Sequence, residues 1–417
     1  MKIAGLTAEF NPLHNGHYWL LKQAREQHGI DAVICVMSGS FLQRGEAAVC
    51  SKWTRAQMAV QAGCDLVIEL PFCLAVRSAW YFARGAVSLL GSCGLCTHLL
   101  FGAEDPDLRW MQPVAALLAE ESPRFKAVLK EKLSQGQSFA AARASALEEL
   151  IDDTPALGAR LARPNNILAL EYLRALKVLG SPLEAMVLPR QEGNCHMAGP
   201  GVFADATDIR LWLTEPGNKP LAAKLRTAMP PYAYDILQSE IAAGCAPLHT
   251  QGLSLLLLER VRSAALDELK EIYEMDEGLE YRMKKAADQS GSYEELRQAI
   301  KSRRYSLSRI NRLLLYTLLR VKAETMTAFD AAGPQYLHVL AFSALGRELM
   351  KSIKTSSALP LLTRGSAVKA FSAEAPTATA QAMLQLDIKA TDLHALLNVN
   401  ERKRLAGRDF TTSAVYG

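Results

Sequence analysis

Two apolar runs near the start of the chain, Ile3-Ala4-Gly5-Leu6 behind Lys2 and Ala32-Val33-Ile34-Cys35-Val36-Met37, are continuous and short. Runs of that kind read as strands buried on both faces of a parallel sheet. Between them Trp19, Leu20, Leu21 and Ala24 fall at helical spacing, which predicts a helix from His17 to Gln27. Strand, helix and strand within about 30 residues form a βαβ unit, and its crossover should be right-handed.

The alternation continues. Cys64-Asp65-Leu66-Val67-Ile68-Glu69-Leu70-Pro71 is a third strand, terminated by Pro71, and Thr97-His98-Leu99-Leu100-Phe101-Gly102 a fourth, with helices opening at Ser51 and Ala79. The fold class expected is therefore α/β, with a doubly wound parallel sheet. Beyond Pro106 helical periodicity takes over, and Glu184 to Pro189 reads as a short strand returning to the sheet and delivering Arg190. Residues 1–215 are expected to form the sheet domain, with a helical insertion at about 106–180. Residues 216–417 are expected to form a mainly α-helical region. Within it, 334–353 reads as a helical run, a last apolar segment includes Ala382 and Leu397, and the tail from Arg402 reads as loosely held.

The first strand leads through Asn11-Pro12 into His14-Asn15-Gly16-His17, where the loop becomes the helix. Unpaired N–H groups and the positive helix end favour an anion there, typically phosphate. Gly16 allows close approach to the backbone, and each imidazole adds a donor. Metal ligation is the competing reading, but no HExxH or second ligand cluster supplies the further ligands a metal needs, so no metal role is assigned. Loops at the carboxyl ends of parallel strands line the ligand crevice, which places residues 41–46, with Arg44, beside the same site. Gly102 ends its strand where a base or ribose could approach. In Pro164-Asn165-Asn166 either asparagine can cap the following helix, leaving the other for a ligand.

A second phrase, residues 203–213, contains Asp205, Thr207, Ile209 and Arg210. Asp205 or Thr207 can cap a helix whose first turn carries Arg210, again joining N–H groups and a cation.

Composition narrows the class. With 417 residues, 49% hydrophobic and 22% charged, the chain can build a full-sized core. No stretch approaches the ~18 uninterrupted apolar residues of a membrane span. The eight cysteines lie mostly in apolar runs, and the one CxxC, Cys93 and Cys96, has no second pair, so reduced thiols and a cytoplasmic location are expected. The net charge of +4 is unevenly spread. Residues 282–322 carry eleven Lys or Arg against three acids, with Tyr281 and Tyr305 interleaved. Arg309 and Arg312 share a helical face. Cations mixed with planar side chains suit a nucleic-acid backbone and unstacked bases, so RNA is the expected partner.

The HNGH phrase after an N-terminal strand resembles the HxGH signature of the nucleotidylyltransferase superfamily (HUP/Rossmann-like), which includes class I aminoacyl-tRNA synthetases. Residues 203–213 resemble its second motif, except that Asp205 stands where a hydroxyl-bearing serine is usual, and an ionised carboxylate cannot donate. No KMSKS-type loop is found. Taken in order, VM-SG-FLQRGE, SKW, DLVIELP, FARG, LFG, NNIL-EYL and RYSLSRI resemble the bacterial tRNA(Met) cytidine acetate ligase family over residues 1–322. That resemblance implies ATP with Mg2+, acetate and elongator tRNA(Met). Acetyladenylate would form first and acetylate N4 of the wobble cytidine. It implies catalytic roles for His14, His17 and Arg210. Nucleotide contacts are implied along Thr7, Ala8, Glu9, Phe10, Asn11, Pro12, Leu13, His14, Asn15, Gly16, His17, Tyr18, Trp19 and Leu20, and at Gly102, Asn165 and Arg190. A small-molecule adenylyltransferase and a non-catalytic ATP-dependent RNA-binding protein are the alternatives.

Overall fold

The structure is a computed structural model and describes residues 1–137, 139–151, 156–190, 204–214, 219–248 and 250–417. Cys195 lies outside these residues, as do 201–203 and 215–218, where the expected domain boundary falls.

The predicted βαβ unit is present. Strand β1 (Ile3–Ala8) is followed by helix α1 (Asn15–His28) and strand β2 (Ala32–Ser38), with the two strands parallel in register from Ile3 opposite Ala32 to Ala8 opposite Met37. Every residue of β2 is buried, which explains its unbroken apolar pattern. Helix α2 (Lys52–Gln61), strand β3 (Leu66–Leu70), helix α3 (Ala79–Ser92) and strand β4 (His98–Ala103) complete the alternation. Ser51 caps α2, accepting the Thr54 N–H at 3.1 Å. Four helices among the described residues, Leu108–Glu120, Pro123–Ser134, Phe139–Leu150 and the short Leu157–Leu161, then precede helix α4 (Pro164–Val178) and strand β5 (Glu184–Pro189). Strand β5 pairs parallel with β4, as its return to the sheet requires.

The two faces of the sheet bury alternate residues of each strand. Ala4, Leu6, Val33, Cys35, Met37 and Val67 pack into one core, and Ile3, Ile34, Val36, Leu66, Ile68 and Leu99 into the other.

After helix α5 (Ala206–Thr214), the described residues from Lys219 to Ala332 are mainly helical and include α6 (Leu307–Leu319). The expected helical run at 334–353 is corrected. Leu337–Phe342 is a strand, β6, antiparallel to β3, and only Ala344–Ser356 is helical. A six-residue run, apolar except for His338, carries too little periodicity to separate strand from helix. The breakers Gly333, Pro334 and Ser343 that bound it were the better signal.

The expected loose tail is also corrected. After β7 (Leu361–Leu362) and α7 (Ala378–Leu396), the chain forms a short turn of helix at Arg408–Thr411 and strand β8 (Val415–Tyr416) parallel to β6. The sheet order is β5-β4-β1-β2-β3-β6-β7, with β8 also on β6. The end of the chain is thus pinned to the sheet. Among the described residues no helix is long and apolar enough to cross a membrane.

Candidate active site

The chain leaves β1 through Glu9 and a buried Phe10 in the left-handed region at φ 44°. A phenylalanine there costs on the order of 1–3 kcal/mol and persists only where packing enforces it. Here the Phe10 ring meets the His17 ring edge-on, centroids 5.0 Å apart, and so helps set the orientation of that imidazole.

His14 is the N-cap of α1. Its Nδ1 accepts the Gly16 N–H at 3.1 Å, while His17 Nδ1 accepts the His14 N–H at 3.3 Å. The pair is a reciprocal capping box, built from two imidazoles instead of a hydroxyl and a carboxamide. Because both Nδ1 atoms accept, each neutral ring carries its proton on Nε2. The rings lie 3.8 Å apart, tilted by 34°. Gly16 is needed for this arrangement, since a Cβ there would sit 3.0 Å from His14 Cε1.

Burial, reinforced by the Arg190 guanidinium, pushes His14 down to about 3. Burial and the neighbouring His14 also hold His17 well below the usual histidine range. Both are therefore neutral at physiological pH, and what they present is two Nε2–H donors. Among the described residues, His14 Nε2 is buried with no acceptor, and so is Asn11 Nδ2, while Asn11 Oδ1 accepts the Val49 N–H at 2.7 Å. Orphaned buried donors at a helix N-terminus are what an anion would satisfy.

The second phrase closes over this loop. Arg210 in α5 donates to the Asn11 carbonyl at 3.0 Å and lies 3.8 Å from Glu46. Asp205 caps α5 by accepting the Asp208 N–H at 2.8 Å. The carboxylate that departs from the usual serine thus performs the accepting half of that residue's work, which needs no proton.

On the other side, Gly102 at the end of β4 faces Arg190, and a Cβ there would find nothing closer than 3.9 Å. Asn165 accepts from Arg190 through Oδ1 and donates to Glu104 at 2.6 Å. Neither asparagine caps α4, contrary to expectation. Glu104 does so from outside the helix, accepting the Asn165 and Asn166 N–H groups at 3.0 and 2.7 Å. Asn166 is fully buried, accepting the Asp105 N–H and donating to the Arg160 carbonyl, so of the two only Asn165 lies beside Arg190.

Sequence reasoning missed two buried cations on α2. Arg55 donates to the carbonyls of Glu9 at 2.6 Å and Ser38 at 3.1 Å, and to that of Gly39, tying together the carboxyl ends of β1 and β2. Lys52 Nζ lies 2.7 Å from Glu69 and 2.6 Å from Asp409, with His338 also on Glu69 at 2.7 Å. Glu69, His338 and Asp409 approach one another as metal ligands would, but the Lys52 ammonium lies among them. The available signal was two cations, Lys52 and Arg55, in the first turn of a helix start, Ser51-Lys52-Trp53-Thr54-Arg55, where the helix dipole disfavours positive charge.

The basic window is also revised. The preceding stretch, residues 267–280, holds seven acids and one lysine. In space it pairs with the cations: Arg309 with Asp276 at 2.9 Å and Glu274 at 3.7 Å, Arg304 with Glu277 at 3.1 Å, and Lys322 with Glu271 at 2.9 Å. Arg312 is buried, as is Tyr305, whose hydroxyl donates to Glu277. Lys285, Lys301 and Arg303 are exposed and carry no ion pair among the described residues. The α6 backbone packs on the crevice loop, since a Cβ on Gly45 (φ 76°) would meet Arg312 N at 2.5 Å.

The family profile described as HIGH Nucleotidyl Transferase matches residues 1–409. A tRNA(Met) cytidine acetate ligase of Syntrophomonas wolfei is 47% identical across the full length of both chains, and that of Acetivibrio thermocellus 36% identical, also end to end. The crystal structure of Thermotoga maritima TmcAL bound with alpha-thio ATP superposes with a TM-score of 0.92 at 32% identity, covering 100% of this chain and 99% of the other. A mostly parallel sheet with paired imidazoles at its first crossover, matched end to end by these relatives, places the chain in the HIGH nucleotidyl transferase family, among the tRNA(Met) cytidine acetate ligases.

Proposed function

We propose that this chain joins acetate to tRNA at the expense of ATP. Acetate attacks the α-phosphorus, the bond to the β,γ-diphosphate breaks, and acetyladenylate and pyrophosphate form. The exocyclic N4 of the wobble cytidine in elongator tRNA(Met) then attacks the acetyl carbon, releasing AMP.

The observation that carries this reading is the pair of neutral imidazoles with Nε2–H donors at a helix N-terminus, one of them buried with no acceptor among the described residues. The first step brings two anions together and builds charge on phosphoryl oxygens, so it needs preorganised donors more than a nucleophilic side chain. His14 and His17 supply neutral donors, and Arg190 and Arg210 supply the compensating positive charge. Gly102 leaves room for the nucleoside, and Asn165 fixes Arg190. Mg2+ would accompany the ATP phosphates and neutralise their outer oxygens.

The tRNA is assigned to the exposed surface at Lys285, Lys301 and Arg303, which form no ion pair among the described residues. The α6 helix that follows Arg303 reaches the crevice loop at Gly45 and so links that face to the site. The test is to incubate the protein with ATP, labelled acetate and total tRNA and to look for labelled N4-acetylcytidine with release of AMP. Adenylation of a small molecule with no label in tRNA would support the small-molecule alternative.

A further inference from the structure

The second step has a proton to dispose of. An amide-like exocyclic amine that attacks an acyl carbon becomes acidic as the bond forms, and a base within reach speeds its attack. The imidazoles are not available for this, because both Nδ1 lone pairs accept backbone N–H groups and both Nε2 atoms carry hydrogen. Three nearby carboxylates are also committed. Asp205 caps α5, Glu104 caps α4 and holds Asn165, and Glu46 lies beside Arg210.

Glu9 is differently placed. It sits half-buried at the carboxyl end of β1, with Oε1 accepting the Gln43 N–H at 2.7 Å and Oε2 without a hydrogen-bond partner among the described residues. The groups acting on it are Arg55 of α2, Glu46 of the crevice loop, Arg210 of α5 and Tyr172 of α4. Its own backbone carbonyl is gripped by Arg55, which fixes its place relative to β2. The loop that supplies the Gln43 N–H also supplies Gly45, on which α6 packs. Glu9 therefore sits where β1 runs into the loop that carries the imidazole pair, and its carboxylate is bonded to the same crevice loop on which α6 packs.

We infer that Glu9 is the general base of the acetyl-transfer step, receiving on Oε2 the proton that the attacking amine releases. The N–C bond forms, the mixed-anhydride C–O bond breaks, and AMP departs with the electron pair on its phosphate oxygen. Burial raises the Glu9 carboxyl above the ordinary range, with Glu46 adding to the rise. The Gln43 N–H, Arg55 and Arg210 oppose it. A carboxylate raised in this way is a stronger base than a solvated one.

The inference rests on the activity proposed above, and the experiment separates the two. Glu9→Gln keeps an oxygen for the Gln43 N–H and removes the base. Acetate-dependent ATP–pyrophosphate exchange and single-turnover acetyl transfer from preformed acetyladenylate to saturating tRNA are measured between pH 5.5 and 8.5. Transfer should fall by about 10²–10⁴-fold and by at least about tenfold more than exchange, whose own loss reports any contact that Glu9 makes with the nucleotide. The wild-type transfer rate should rise with pH along a limb that the variant lacks, and Glu9→Asp should recover part of the loss. Equal losses in both steps, or transfer within threefold of wild type, would overturn the assignment. Wild-type protein with no acetate-dependent exchange would overturn the activity itself, and the inference with it.

Discussion

Replacing Gly16 by alanine should separate the chemistry of the imidazole pair from the stability of the helix that carries it. Gly16 is the second residue of α1, and its N–H is the donor to His14 Nδ1 at 3.1 Å. The added Cβ would lie 3.0 Å from His14 Cε1 and 3.1 Å from Nδ1, where ordinary contact is 3.4–4 Å. The ring must retreat by a few tenths of an ångström, and the capping bond lengthens with it. Weakening that bond costs about 0.5–1.5 kcal/mol. Alanine in place of a helical glycine returns up to about 1 kcal/mol. The two nearly cancel, so the melting temperature should stay within about 2–4 °C of wild type. Activity should not be spared. The ring carries the buried Nε2–H, and a misplaced donor of this kind costs on the order of 10²-fold. Acetate-dependent ATP–pyrophosphate exchange in Gly16→Ala, beside thermal unfolding of the same sample, reads both quantities. Exchange at the wild-type rate would refute the claim that the stacked, Nδ1-locked geometry is what the site uses. Loss of exchange together with a large drop in melting temperature would refute the cancellation.

Other perturbations test other parts of the molecule. Lys52→Met leaves Glu69 and Asp409 buried without their cation and should destabilise the fold by about 3–5 kcal/mol, read as a shift in urea midpoint; a change under about 1 kcal/mol would contradict the role given to Lys52. Lys301→Glu with Arg303→Glu should weaken tRNA binding and flatten its salt dependence, whereas Arg309→Gln should change binding little because its charge is already neutralised; the reverse order in a filter-binding titration would misplace the RNA face. Acid should destabilise the protein. Burial holds His14 and His394 at about 3 and lowers His17, so below the unfolded value of 6.5 the unfolded chain takes up protons that the native one refuses. Each such imidazole removes up to about 1.4 kcal/mol per pH unit between roughly 6.5 and the folded value. Asp387, raised by burial to about 8, and Glu9 and Asp392, also raised by burial, act in the opposite sense and offset part of the loss. A urea midpoint at pH 5 equal to that at pH 7 would count against the neutral imidazoles. Asn165→Ala frees Arg190 and removes one bond to Glu104, so ATP binding should weaken by about tenfold, measured by titration calorimetry.

What could be read from the residues alone follows the range of the forces involved. Local periodicity and punctuation place β1 to β4 and their helices, because an unbroken apolar strand and a Ser51 cap are properties of a few adjacent residues. The imidazoles were legible as donors for the same reason, since His14, Gly16 and His17 act within one turn. Their tautomer was not, because it depends on which backbone N–H groups the Nδ1 atoms meet. Pairing across long sequence distances was also hidden. Lys52 and Asp409 are 357 positions apart, and nothing local marks either as a partner. The basic window erred for a related reason. Charge counted along the chain stops at an arbitrary residue, and just before Arg282 lies the acidic stretch that folds back onto the same helices. Read in space, Arg309 belongs to Asp276, Arg304 to Glu277 and Lys322 to Glu271. The positive charge left over is the part with no acid within reach, a smaller and more specific surface than the count of eleven cations suggests.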